Sequence, residues 1–290
     1  MSRTILLNHP GGEPGASAIT NGHCAWNVSD RHRRKYLIAP TRFAIPVGSN
    51  GRFMLRDAHE ATFWGEWEPP SDAVALGDAL PGAAKFCHRP LLELPAPPRS
   101  QNTDPWVFGK TMRYSICLQA SAPILRELDP GDLVLFGSVQ KGAEEWDFAL
   151  DTVFVVDERY PYSKDDQAEV PAEAGIDDLY EEAVLNRRNP PFTLGGQSIY
   201  NGRMLGSAAD EPFCWVPSLP AFEGQPRAFA RPAINQLFDM HFSSTQGAIK
   251  ELPVPAKEAW GLVTDHVRSL GLWMGAQIAQ PPVSTESDAS

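Results

Sequence analysis

Over much of the first half of this chain, apolar and polar residues alternate with period two, which predicts strands. In "MRYSICLQ", Met112, Tyr114, Ile116 and Leu118 take one side, and Arg113, Ser115, Cys117 and Gln119 take the other. That is the pattern of a strand packed on one side only. "EWDFALDTVFVVDE" is the longest such run. There Trp146, Phe148, Leu150, Thr152, Phe154 and Val156 alternate with Asp147, Ala149, Asp151, Val153 and Val155. "TILLN" predicts a short buried strand, and the glycines of "HPGGEPG" after it lack the GK[ST] ending of a phosphate loop. "TRFAIPV" and "GRFMLRD" flank "GSN", which predicts a hairpin, with residues 63–68 as the next strand. The proline-rich connection 69–105 is long enough to cover a face of the sheet.

After Tyr162 the pattern changes. "SKDDQAEVPAEAG" predicts an exposed linker, and "IDDLYEEAVLNRR" an acidic amphipathic helix with basic residues in its last turn. Residues 201–232 are irregular. Trp260, Val263, Val267 and Leu270 then recur at helical spacing between Pro255 and Gly271, which predicts a helix with a core-facing stripe. "PPVSTESDAS" predicts a disordered tail. The expected fold is α+β: a β-rich, mainly antiparallel body over 1–162, barrel-like if its edges meet. A helical and irregular extension over 163–280 packs on it, as a second domain or as part of the first, and 281–290 form the tail.

Composition narrows the classes. The 27 prolines and 23 glycines keep helices short. The first apolar run meets Asn8, His9 and Pro10 too soon for a signal peptide. No stretch reaches the ~18 apolar residues of a membrane span. A cytoplasmic protein with no membrane partner is expected. Four cysteines without a CxxC pair suit a reducing compartment. His23-Cys24 and Cys87-His88 could each offer a zinc ligand, but buried thiols beside surface histidines account for them, and no metal or cofactor is called for. A net charge of −11 disfavours binding along an extended nucleic-acid backbone. The one basic run, "RHRRK" at 31–35, is a solvated helix or loop face, or a local patch for a single phosphate.

The stretch with most chemical content is "FWGEWEPPS". On a strand, Phe63, Gly65 and Trp67 face the core, and Trp64, Glu66 and Glu68 share the other side. Like charges about 7 Å apart, beside an indole that excludes water, raise each other's pKa. Such a pair supports acid/base work or a cationic transition state. If the one-sided strands are neighbours, Arg113, Ser115 and Asp151 join this face. A planar ring could then stack on Trp64 while carboxylates and Arg113 read its edge. Candidate catalytic residues are Glu66, Glu68 and Asp151; candidate binding residues are Trp64, Arg113 and Ser115. The alternation also suits a sheet with one wet face and cross-strand charge pairs.

"LDPGDLVLFGS" followed by "FALDTVFVVDE" resembles a pair of strands in PUA-like barrels of the ASCH and EVE type, over about residues 40–160. That resemblance implies an aromatic-lined cleft for a modified or flipped base or RNA. The acidic balance departs from an RNA-binding surface and leaves a free nucleotide or single base as the implied ligand. The whole chain also resembles bacterial nucleotide-modification-associated domains. Glu66-Trp67-Glu68 is similar to the Glu-x-Glu motif of ADP-ribosyltransferases, in which a glutamate stabilises an oxocarbenium-like ribose. The Ser-Thr-Ser strand expected before that motif is missing, and Ser243-Ser244-Thr245 come after it.

Three functions follow from these features. The first is recognition of a nucleobase or nucleotide in nucleic-acid modification or defence, extending to cleavage or transfer at an N-glycosidic bond. The second is a non-catalytic interaction module that uses its Trp-Glu face, for instance to form a homodimer. The third is a metal-dependent hydrolase using Asp147, Asp151 and the glutamates.

Overall fold

Two mixed β-sheets carry the fold, and strands from both ends of the chain meet in each. The computed structural model describes residues 2–9, 11–48, 52–77, 83–141, 146–162, 170–186, 196–206, 211–221, 226–242 and 249–285. The first sheet runs, edge to edge, through β14 (Ile249–Leu252), β1 (Thr4–Asn8), β10 (Leu133–Lys141), β11 (Trp146–Tyr162), β12 (Gln197–Gly202) and β9 (Arg113–Tyr114). The second runs through β15 (Trp273–Ile278), β13 (Val216–Pro220), β5 (Arg52–Glu66), β4 (Arg34–Val47), β7 (Phe86–Pro90), β6 (Ser71–Ala75), β3 (His23–Cys24) and β2 (Ile19–Thr20). Strand β15 also pairs with β4, so the pairings β4–β5–β13–β15 return on themselves. Most pairings are antiparallel; β1 with β10 and β4 with β7 are parallel. The molecule is thus β-rich with few helices, of the α+β class.

The segment after 163, expected to be helical and irregular, supplies β12 to β15. These strands satisfy backbone groups that the first half leaves open. Strand β12 pairs with the end of β11, β13 with β5, and β14 with β1. One hydrophobic core draws on both halves, from Ile5 and Phe63 to Trp215 and Val263. The late helix forms at Ala256–Ser269 with Pro255 at its start and Gly271 in the left-handed conformation after it; its Trp260, Val263 and Val267 are buried.

Several local expectations change. The hairpin strands are longer than the pattern suggested: β5 runs unbroken from Arg52 to Glu66, leaving Trp67 and Glu68 beyond it. "RHRRK" is no solvated face, because Arg34 and Lys35 open β4 and are buried. "MRYSICLQ" keeps only two strand residues: the Asp104 carboxylate takes the amides of Ser115, Ile116 and Cys117, and Leu118 turns the chain at φ 60°. The acidic helix is short. Asp177 caps Asp178–Tyr180, a wider turn continues to Leu185, and Arg187 and Arg188 lie outside the described residues. In the tail, Val283–Thr285 (β16) pair in parallel with Leu92–Leu94 (β8); 286–290 lie outside the description.

Strands β10 and β11 are buried along most of their length, which makes their packing intolerant. At Gly137 a β-carbon would sit 2.2 Å from the Ala149 carbonyl oxygen and 2.6 Å from the Phe148 ring. Neither atom is the free end of a flexible chain. Gly137→Ala is therefore expected to cost about 2–3 kcal/mol by overpacking, read as a lower urea midpoint at unchanged slope.

Candidate functional site

Four chain segments meet at the seam between the sheets. From the first sheet come His9, directly after β1, and Asp151 on β11. From the second come His32 and Arg34, at the entry to β4, and Glu66, the last residue of β5. The loop after β1 passes close to residues 32–34. A β-carbon on Gly11 would lie 3.1 Å from the His32 carbonyl oxygen, so the small residue lets the two segments approach.

Arg34 is the hub. Its Nε lies 2.8 Å from Asp151 Oδ2, and its two terminal nitrogens reach Glu66 Oε2 at 3.0 Å and the His9 carbonyl at 2.6 Å. Burial disfavours its charge, but Asp151 and Glu66 outweigh that and raise its pKa. Glu66 is enclosed, with His9 Nδ1 2.7 Å from one oxygen and His32 Nδ1 2.9 Å from the other. Burial alone would raise Glu66, yet His32 and then His9 hold it well below the usual carboxylate range. Glu68 lies next to it: Oε1 accepts from the Arg33 amide at 2.8 Å and lies 3.1 Å from His32 Nδ1, and Oε2 accepts from Asn27 at 2.6 Å. Burial pushes Glu68 up, and His32 opposes it.

The two imidazoles differ. Burial pushes His9 down to about 4, against the pull of Glu66. Burial also works against the charged form of His32, but Glu66 and Glu68 lift it to about 10. At neutral pH the seam therefore holds one neutral and one charged ring, 4.5 Å apart edge to face. Glu66, His9 and Arg34 are shut off from solvent, while 28% of the His32 side chain is exposed.

Glu66, Glu68 and Asp151 are thus brought together as one group through His32 and Arg34. Trp64 shares the Glu66 face of β5, one pair further along the strand, in a small cluster with Tyr36 and Ile38. Its indole N–H donates to the Phe229 carbonyl, and the Arg231 guanidinium covers its ring at 5.5 Å. Arg231 also lies 3.4 Å from Asp151 and so links Trp64 to the seam. The expectation that Arg113 and Ser115 share the Trp64 face does not hold. Both belong to the β9 segment of the other sheet. Arg113 donates to the Gly175 carbonyl at 2.6 Å and lies over the Tyr180 ring, whose hydroxyl donates to Ser115.

Arg113 instead lines a cavity of about 890 Å³, together with Arg42 and Lys110. Pro40, Phe108 and Ile278 give it an apolar wall, and Asp177 and Gln280, joined at 2.9 Å, stand at its rim. Arg113 is buried, and its Nε has no hydrogen-bond partner.

Sequence reasoning missed His9, His32, Arg34 and Arg231. One signal was present: "RHRRK" runs straight into the apolar "YLIA", so part of the basic run had to enter the strand. The others are joined only by packing of the sheets. Comparison with protein families, with curated proteins and with solved structures gives no match to this chain. Among the described residues no helix is long and apolar enough to cross a membrane.

Proposed function

We propose that this protein recognises a nucleotide, or a nucleobase carrying phosphate, in the cavity lined by Arg42, Lys110 and Arg113. One observation carries this function: three cationic side chains converge on a single hollow of a chain whose net charge is −11. The volume of about 890 Å³ falls in the range of small-molecule and cofactor sites. Arginine forks suit phosphate oxygens, the apolar wall suits a flat ring, and Asp177 can read a base edge. A nucleotide is also the ligand class implied by the resemblance to PUA-like barrels and nucleotide-modification-associated domains.

The carboxylates favour recognition over nucleophilic attack. Glu66 and Asp151 are each held by buried cationic or imidazole partners, and Glu68 accepts from Arg33 and Asn27. Little lone-pair capacity is left for a substrate carbon.

Thermal-shift titration with nucleosides and nucleotides tests the proposal. Nucleotides are expected to raise Tm, and the matching nucleosides to raise it less. Lys110→Ala and Arg42→Ala should each weaken binding about tenfold, the worth of roughly 1.4 kcal/mol. Equal shifts for nucleoside and nucleotide, or no shift with either, would overturn it.

A further inference from the structure

The seam between the sheets holds a constellation that the cationic cavity does not need. His9, His32 and Glu66 each offer one ligand atom, and these atoms lie within 4.8 Å of one another. Two imidazole nitrogens and one carboxylate oxygen are the donor set of open, three-ligand sites for zinc and non-haem iron. Position in the chain gave no hint of it, because the three residues are not at motif spacing.

One further observation points to a ligand. His9 is buried, and neither of its ring nitrogens makes a hydrogen bond. Its Nδ1 lies 2.7 Å from Glu66 Oε2 but without hydrogen-bond geometry, so a fully buried imidazole is aimed at a carboxylate and left unsatisfied. Such an orphan costs free energy unless something is bound there.

We propose that His9, His32 and Glu66 form a binding site for one divalent transition-metal ion of the zinc and iron class. Their neighbours suit this role. Glu68 lies 3.1 Å from His32 Nδ1, the nitrogen that also faces Glu66, and so adds a second carboxylate on the ligand side of the ring. The Arg34 guanidinium donates to Glu66 Oε2 and fixes the carboxylate. The partly exposed His32 gives the ion a path from solvent that the other two ligands lack.

The test uses the full chain, stripped with chelator and titrated with Co²⁺ followed by visible absorption and calorimetry. One equivalent of Co²⁺ is expected, with ligand-field bands in the visible, displaced by Zn²⁺. His9→Gln and His32→Gln should each weaken binding at least a hundredfold, while His241→Gln, at an exposed histidine elsewhere, should leave it unchanged. If His9→Gln does not fold, the proton spectrum of the wild-type Co²⁺ protein decides: two hyperfine-shifted imidazole N–H signals support the site. Fewer than two such signals, binding below one equivalent, or affinity that survives both histidine substitutions would overturn it. None of these readouts depends on the nucleotide cavity.

Discussion

Replacing Arg34 by methionine is expected to destabilise the protein by about 3–5 kcal/mol, a large share of the 5–15 kcal/mol that holds a typical domain together. The side chain is 2% exposed, donates to the Glu66 carboxylate and the His9 carbonyl, and pairs with the Asp151 charge at 2.8 Å. Methionine fills the same space but leaves Glu66 and Asp151 facing each other at the seam without their shared cation. Breaking a buried pair from one side costs far more than the intact pair contributes, because the remaining charge cannot return to water. Arg89→Met provides the contrast. Arg89 meets Glu60 at 2.6 Å, but half of its side chain is exposed, and its loss should cost under about 1 kcal/mol. Urea unfolding at pH 7 measures both. Adding Asp151→Asn to Arg34→Met should recover part of the loss by removing one uncompensated charge. If Arg34→Met stays within about 1 kcal/mol of wild type, the seam is not the ionic joint described above.

The alternation in "FWGEW" was legible, because strand geometry alone puts Phe63 and Trp67 on one side and Trp64 on the other. The late helix was legible for the same reason: its stripe and its stop residues lie within one short window. What surrounds Glu66 was not. His9 and Asp151 belong to one sheet, Arg34 and Glu66 to the other, and only sheet packing brings them together. "MRYSICLQ" misled because its pattern cannot reveal that Asp104, eight residues or more away, takes three of its amides. The wet face assumed for β5 was dry for a related reason. Residues 227–231 come from far along the chain to cover Trp64, and period-two patterning cannot show a cover supplied by distant sequence.

The two sites have different physical character. The cavity of Arg42, Lys110 and Arg113 is open and cationic, and its polar groups are partly unpaired. The seam is enclosed, built of paired opposite charges and crowded with partners. A chain with both could bind a phosphate-bearing ligand at one place and hold a Lewis acid at the other.

A second large effect is expected on acidification, and it comes from His88. This residue of β7 is fully buried. Ser71 Oγ lies 3.2 Å from Lys35 Nζ and 3.0 Å from His88 Nδ1. An ammonium can only donate, so the hydroxyl accepts from Lys35 and gives its own proton to His88 Nδ1. The ring proton then sits on Nε2, which has no partner. Burial, and after it the charge of Lys35, push His88 down to about 3. Its folded pKa is depressed below the ordinary 6.5, so its contribution to stability is complete above pH 6.5 and is lost as the pH falls toward 3. Between pH 6.5 and 4.5 one such group removes about 2–3 kcal/mol, at roughly 1.4 kcal/mol per pH unit. Glutamine at this position can still pair with Ser71 but cannot take up a proton. Urea unfolding of wild type and His88→Gln across this window isolates the term, because the carboxylates titrate in both. Wild type is expected to lose about 2–3 kcal/mol more than the variant. Parallel pH profiles would mean that His88 gains a proton in the folded protein as readily as in the unfolded chain, and that the Lys35–Ser71–His88 chain does not hold its ring neutral.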